Sequence, residues 1–237
     1  MKHIKIFSLT SEYETSKSGG TLITPNVSLI NETNSVRYLP ELDDPYNGHE
    51  YVDLGLPSGT KWATCNVGAK RPEDPGLLFA WGGTTGHNID DIDNFNEDNY
   101  DGPSDELILQ NINNDYIIPA GYDAATVNMG GKWRIPTKAD FEELITNCNV
   151  EETGNYGETD DFYGYRGTIF TSKHNGNSMF IPTDSDSLFG EYWTSSGFYD
   201  ENEINIQIYE YDNDWPGGSA IGQFVKYFGH LIRPVCE

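Results

Sequence analysis

Four aspartates in one short run, Asp91, Asp93, Asp98 and Asp101, are the first side chains in this sequence with the chemistry for a site. Carboxylate oxygens gathered at such density can coordinate Ca²⁺, which takes six to eight hard oxygen ligands. Their spacing does not follow an EF-hand loop, so the competing reading is an acidic loop held in solvent. A structural Ca²⁺ is the one cofactor the residues leave open. The second stretch is YWTSSGFYDENEINIQIYEYDNDW. From His174 to Val225 there is no Lys or Arg, while Tyr192, Tyr199, Tyr209, Tyr211 and Trp215 alternate with Asn, Asp and Ser. Tyr and Trp provide large contact area at low conformational cost and stack on sugar rings. The ligand-binding candidates are therefore Tyr199, Tyr209, Tyr211, Asp212, Asp214 and Trp215. Strand alternation turns about half of such aromatics toward a core, so plain scaffold loops remain the alternative.

Catalytic patterns are absent from the sequence. No nucleophile elbow, HExxH or Gly-rich phosphate loop occurs, and the five histidines are scattered without ligand spacing. Cys65, Cys148 and Cys236 form no CxxC pair, which signals neither a disulfide framework nor a zinc knuckle and fits reduced thiols. The expectation is a non-enzymatic protein.

The elements that would position these residues fall into two regions. Residues 1–45 read as an arm: a short strand at HIKIF, a linker at TSKSGG, then strands TLITPNVSLI and SVRYL joined by NETN. With few large apolar groups this arm cannot bury a core of its own, which fits attachment or oligomerisation. Residues 46–237 read as a globular domain. EYVDLGL and KWATCNV are strands about the turn PSG, and GLLFAWGG is a buried run. The aspartate run NIDDIDNFNEDNYDG reads as a surface insertion, because there is no Lys or Arg between Arg71 and Lys132. Helices are predicted after Ser104 and Asp123, each with a capping residue in front.

GGKWRIPTKADFEEL reads as a strand, Lys132 to Ile135, and a helix. Pro136 disfavours helix at the residue before it, Thr137 with Asp140 approximates a capping box, and Phe141, Leu144 and Ile145 make one apolar face. YGYRGTIF and SMFIPT are predicted as a hairpin with a two-residue turn at Asn175-Gly176. YWTSS, INIQIYEY and a closing QFVKYFGHLIRPV complete an α+β fold of short antiparallel strands and two or three short helices.

Charge narrows the partners. Against 14 basic residues stand 38 acidic ones, a net charge of −24 over 237 residues, which disfavours binding to nucleic acid and to anionic membrane surfaces. MKHIKIFSLTSEYETSK has too short an apolar run for a secretory signal, so the expected start of the mature chain is at or near Met1, and no span reaches membrane length.

HEYVDLGLPSGTKWATCNVGA, PEDPGLLFAWGG, DAATVNMGGKWRIPTKADFEEL, GNSMFIPT, YWTSS and LIRPVCE, taken in order from His49 to Glu237, resemble the major paralogous domain family. That family is found in surface proteins of Bacteroidetes and in phages that infect them. The resemblance implies a C-type-lectin-like fold of the kind shared with formylglycine-generating enzymes. It implies a structural role for Trp62, Trp81, Trp133 and Arg134, and it places Trp193 and Arg233 on late strands of one sheet. The late redox-active cysteine pair of the formylglycine-generating enzymes is missing, since Cys236 has no late partner. So are the EPN-type carbonyl and WND pair of calcium-dependent lectins, WPGG at Trp215 lacking the acid.

TLITPNVSLINETNSVRYLP is similar to leader segments of virion proteins in Bacteroides phages, including the crAss-like group. The combined resemblance implies a virion structural protein, a head-fibre or tail-associated decoration. Its arm would join other virion proteins and form a homo-oligomer, and its domain would meet host-surface glycan. The alternative it allows is a bacterial cell-surface module binding glycan or protein.

Overall fold

The computed structural model describes residues 28–30, 36–38, 44–110, 116–153, 167–182, 191–200, 203–210 and 220–237. The chain divides into two compact units, Met1–Asp44 and Pro45–Glu237. In the first, β1 (Ser28–Ile30) pairs antiparallel with β2 (Val36–Tyr38), Leu29 lying opposite Arg37. The strand expected at HIKIF lies outside the described residues.

The second unit mixes helices with small antiparallel sheets. One sheet joins β3 (Tyr51–Val52), β4 (Lys61–Ala63) and the late strand β12 (Val235–Cys236) in the order β12-β4-β3. A second, in the order β11-β10-β9-β5, joins β5 (Tyr116–Ile117), β9 (Glu191–Asp200), β10 (Glu203–Glu210) and β11 (Ala220–Phe224). The third is the meander of β6 (Cys148–Thr153), β7 (Gly167–Ser172) and β8 (Ser178–Pro182). Helices α1 (Asp105–Gln110) and α2 (Ala124–Met129) are short, and α3 (Lys138–Asn147) lies against β6 and β7 on one side and β9 and β10 on another.

Strand alternation splits the core in two. Trp62 and Ala63, Tyr192 and Trp193, and Val235 and Cys236 are neighbours in sequence, yet the members of each pair enter different clusters. Successive residues of a strand point to opposite faces, so each strand feeds both sides. Trp62, Phe141, Leu144 and Tyr192 fill one cluster, with the Trp62 and Phe141 rings 5.0 Å apart, edge to face. Trp81, Trp133 and Trp193 fill the other, and their indole N–H groups donate to the carbonyls of Thr194 at 3.0 Å, Tyr46 at 2.7 Å and Phe79 at 2.7 Å. A buried tryptophan usually finds such a partner for its polar edge, although the Trp62 N–H has none among the described residues.

Arg233 is fully buried between the clusters and donates to the carbonyls of Ala63, Thr64, Pro72 and Phe180. One side chain thus fastens β4, the Pro72 loop and β8. Burial lowers the pKa of this guanidinium, and the neighbouring Tyr192 phenol opposes that shift. Burial in turn pushes the Tyr192 phenol up to about 12. The expectation that Arg233 and Trp193 share a sheet is corrected. Trp193 lies on β9, whereas Arg233 occupies an extended link between the Tyr192–Leu231 bridge and β12.

The joint at Lys132 is also corrected in its first half. Lys132 to Ile135 forms no strand but a single antiparallel bridge, Arg134 to Val235, because Gly130 and Gly131 turn the chain just before it at φ of 69° and 59°. The second half folds as its residues dictate. Thr137 Oγ1 accepts from the Asp140 amide at 3.1 Å and Asp140 Oδ2 accepts from the Thr137 amide at 2.7 Å, a complete capping box. Phe141 and Leu144 are buried beneath it and Ile145 is half-buried.

Asp123 caps α2 by accepting from Thr126 at 2.9 Å, and its other oxygen accepts from the Ile135 amide at 2.9 Å. Burial raises its carboxyl pKa against those hydrogen bonds. Ser104 opens α1 by accepting from the Leu107 amide at 3.3 Å.

The hairpin between β7 and β8 has a longer connection than a two-residue turn. The Ser172 amide donates to Asn177 O at 2.8 Å, leaving Lys173 to Gly176 as the loop, with Gly176 at φ 79°. Ser172 Oγ accepts from the His174 and Asn175 amides and curls the chain before Asn175 is reached. Among the described residues, no helix is long and apolar enough to cross a membrane.

Candidate functional site

The aspartate run folds as two 3₁₀ turns, Ile89–Asn94 and Glu97–Asn99. Its acids lie at the surface, as expected of a surface insertion, while apolar residues between them pin it to the domain. Ile89, Ile92 and Phe95 pack against the Trp62 cluster. Phe95 sits so tightly on Gly229 that a Cβ there would lie 2.5 Å from its ring, and His87 meets the same ring edge-on at 5.2 Å. Tyr100 donates its hydroxyl to Trp81 O at 2.7 Å, and burial raises its phenol pKa.

Asp91, Asp93, Asp98 and Asp101 are exposed, and among the described residues no three His, Cys, Asp or Glu side chains converge on a cation position. Asp101 instead accepts from the Thr85 amide at 3.4 Å.

The closing segment QFVKYFGHLIRPV, read from sequence among the short closing strands, breaks immediately beside this insertion. β11 ends at Phe224, and Val225 to Phe228 form a turn in which the Phe228 amide donates to Val225 O at 3.3 Å. Gly229 follows under Phe95, which fixes the turn against the insertion. Lys226 crosses to the acidic side: its carbonyl accepts from the Trp81 amide at 2.8 Å, its ammonium pairs with Asp105 and lies 4.6 Å from the Tyr100 ring centroid.

Rings remain on the outside of this turn. Tyr227 and Phe228 stack at 5.4 Å with their planes 28° apart, and Phe224 supports Phe228 edge-on at 5.0 Å. Phe228 is 41 % exposed and Val225 43 % exposed. Behind them, His230 is buried with Trp193 at 4.4 Å and Phe224 at 4.7 Å, and its Nδ1 lies 3.0 Å from Glu191 Oε2. The result is a rigidly backed aromatic platform beside Phe95, whose insertion carries exposed carboxylates at Asp90, Asp91 and Asp93. Ring faces of this kind stack on the apolar faces of sugars, and carboxylates accept hydrogen bonds from hydroxyls.

Of the ligand-binding candidates, Tyr199 lies on β9 opposite Ile204, and Tyr209 lies on β10 opposite Tyr192, beyond a register shift between Ile206 and Ile208. Tyr211, Asp212, Asp214 and Trp215 lie outside the described residues. Tyr227 and Phe228 were missed by sequence reasoning. Adjacent aromatics closed by a glycine, in a run otherwise read as strand, were the available signal: alternation cannot bury two consecutive rings on one face.

Comparison of the chain with protein-family models, curated proteins and solved structures gave no match.

Proposed function

We propose that this chain is a non-enzymatic virion structural protein, a head-fibre or tail-associated decoration, whose Pro45–Glu237 unit is a C-type-lectin-like domain of the major paralogous type that binds host-surface glycan. The observation that carries the glycan reading is the stacked, partly exposed Tyr227–Phe228 pair held against the acidic insertion. An aromatic pair left open at the surface with rigid backing suits neutral sugars, and the acidic character of the insertion it is held against disfavours acidic ones. The virion reading rests on the similarity of the segment before Pro40 to phage leader segments, and the arm is the part that joins other virion proteins and forms the homo-oligomer.

Two measurements test the two halves. Neutral host glycans, screened with and without EDTA, should bind the intact chain and lose most of that binding in Phe228→Ser. Binding unaffected by Phe228→Ser but abolished by EDTA would move the site to a cation at the aspartate run. Mass spectrometry of purified particles should find the chain, and its absence from particles in cells that express it would sink the virion reading.

A further inference from the structure

A second surface brings lysines beside partly exposed rings. In the sheet β12-β4-β3, Tyr51 lies opposite Ala63 and Cys236 opposite Lys61. Paired residues share a face, as do residues two apart on a strand, so Tyr51, Lys61, Ala63 and Cys236 project to one side. Trp133 packs with Ala63 and Cys236 on that side. Tyr46 lies 4.4 Å from the Tyr51 ring and 6.1 Å from Trp133, and His49 meets Trp133 edge-on at 6.3 Å. Trp133 is buried, but Tyr51 is 40 % exposed and His49 is exposed.

Cations rim these rings. Lys61 Nζ is 5.8 Å from the Tyr51 centroid. The Lys132 amide donates to Pro45 O at 2.8 Å, and the charges of Lys132, Lys61 and Arg134 all reach the Cys236 thiol, opposing the rise that burial gives its pKa. Arg134 is already engaged, at 2.7 Å from Asp140 and 3.2 Å from Glu237, and it neutralises the Glu237 carboxylate at the rim. Lys61 and Lys132 make no ion pair among the described residues. In a chain with 38 acidic and 14 basic residues, this face gathers three of the basic ones.

We infer that this face binds a carboxylate-bearing sugar, of the uronate or sialate type, with its ring against Tyr51 and His49 and its carboxylate taken by Lys61 and Lys132. Two ammonium groups beside the partly exposed Tyr51 ring and the exposed His49 supply both halves of that recognition, charge for the acid and ring surface for the sugar. An acidic peptide added to the sheet edge is the poorer fit, because edge strand β3 has only two residues, too short to template another strand. The inference rests on the glycan-binding reading and divides it: neutral sugars at Val225–Gly229, acidic sugars here.

The test uses the full chain with a sialyl-oligosaccharide, an oligo-uronate, their neutral counterparts and a glutamate-rich peptide, each at low and high salt. The double variant Lys61→Gln, Lys132→Gln should weaken acidic-sugar binding by about tenfold or more, as for the loss of a charge-assisted contact. Lys61→Arg should retain it, Phe228→Ser should leave it unchanged, and high salt should weaken it. An unchanged melting temperature shows that the glutamine variants still fold.

Acidic-sugar binding at wild-type strength in the double variant overturns the assignment, as does preference for the peptide. Neutral binding at the turn without any acidic binding overturns this inference alone. Binding of neither class overturns both this inference and the glycan reading beneath it.

Discussion

The joint from Lys132 to Leu144 and the turn from Val225 to Gly229 are both built around aromatic side chains, and they use them in opposite ways. At the joint, Trp133 is 1 % exposed, its ring is enclosed by Tyr46 and His49, and its N–H is bonded to Tyr46 O. At the turn, Phe228 is 41 % exposed and has neighbours on only part of its surface, Phe224 at its edge and Tyr227 stacked beside it. An aromatic with every face and polar edge occupied holds the fold and has nothing left for a ligand. One backed on one side and open on the other keeps its contact area available. Composition does not separate these cases; burial and partners do.

The sharpest way to break that comparison is to truncate both. Trp133→Ala should cost roughly 3–5 kcal/mol, because removing a buried indole leaves a cavity. Phe228→Ser should cost clearly less, about 1–2 kcal/mol, as for a partly exposed ring whose contacts are only partly lost. Denaturant midpoints measured on both variants decide it. Equal losses would mean that the turn is as much scaffold as the joint.

The same contrast explains what could be read from sequence. Local chemistry was legible: the Thr137–Asp140 box, the Asp123 and Ser104 caps, and the buried run at Leu78 to Trp81 all arise from residues close together in the chain. Whatever depends on distant partners was not. Arg134 has β-like neighbours, but a strand needs a partner over several residues, and Val235 supplies only one bridge. The insertion looked solvated because its acids outnumber its apolar residues; Gly229, far along the chain, is what receives Phe95. The site suffered most. Tyr227 and Phe228 become a platform only because the chain turns at Val225, and nothing within five residues of sequence says which side of that turn faces out.

A gentler test separates the cap from the core within the joint. Thr137→Ala should cost about 1 kcal/mol, less than Trp133→Ala, since it removes a cap and leaves packing intact. Its partner Asp140 adds a pH dependence. Burial alone would raise the Asp140 pKa, but hydrogen bonds from Arg134 and Thr137 outweigh it and hold the carboxyl below the ordinary range. A group with a lowered folded-state pKa stabilises the fold above its unfolded pKa, and that contribution is lost as pH falls through the folded value. The stability gap between the wild-type chain and Asp140→Asn should therefore be full at neutral pH and close as pH falls below about 4, the unfolded carboxylate range. A gap that stayed constant down to acid would assign Asp140 a packing role with no charge in it.

The smallest expected change in stability belongs to Tyr227 on the platform, where the comparison turns on function. Tyr227→Phe keeps the ring and the stack and removes one hydroxyl, so both stability and neutral-sugar binding should stay near wild type if ring area is what matters. Tyr227→Ser removes the ring that stacks on Phe228 at 5.4 Å, and binding should fall while the melting temperature barely moves. The pair of variants separates area from hydrogen bonding, which a single serine substitution cannot do. If Tyr227→Phe alone abolishes binding, the hydroxyl is the recognition element, and the platform acts as a polar contact on an aromatic mount instead of a stacking face.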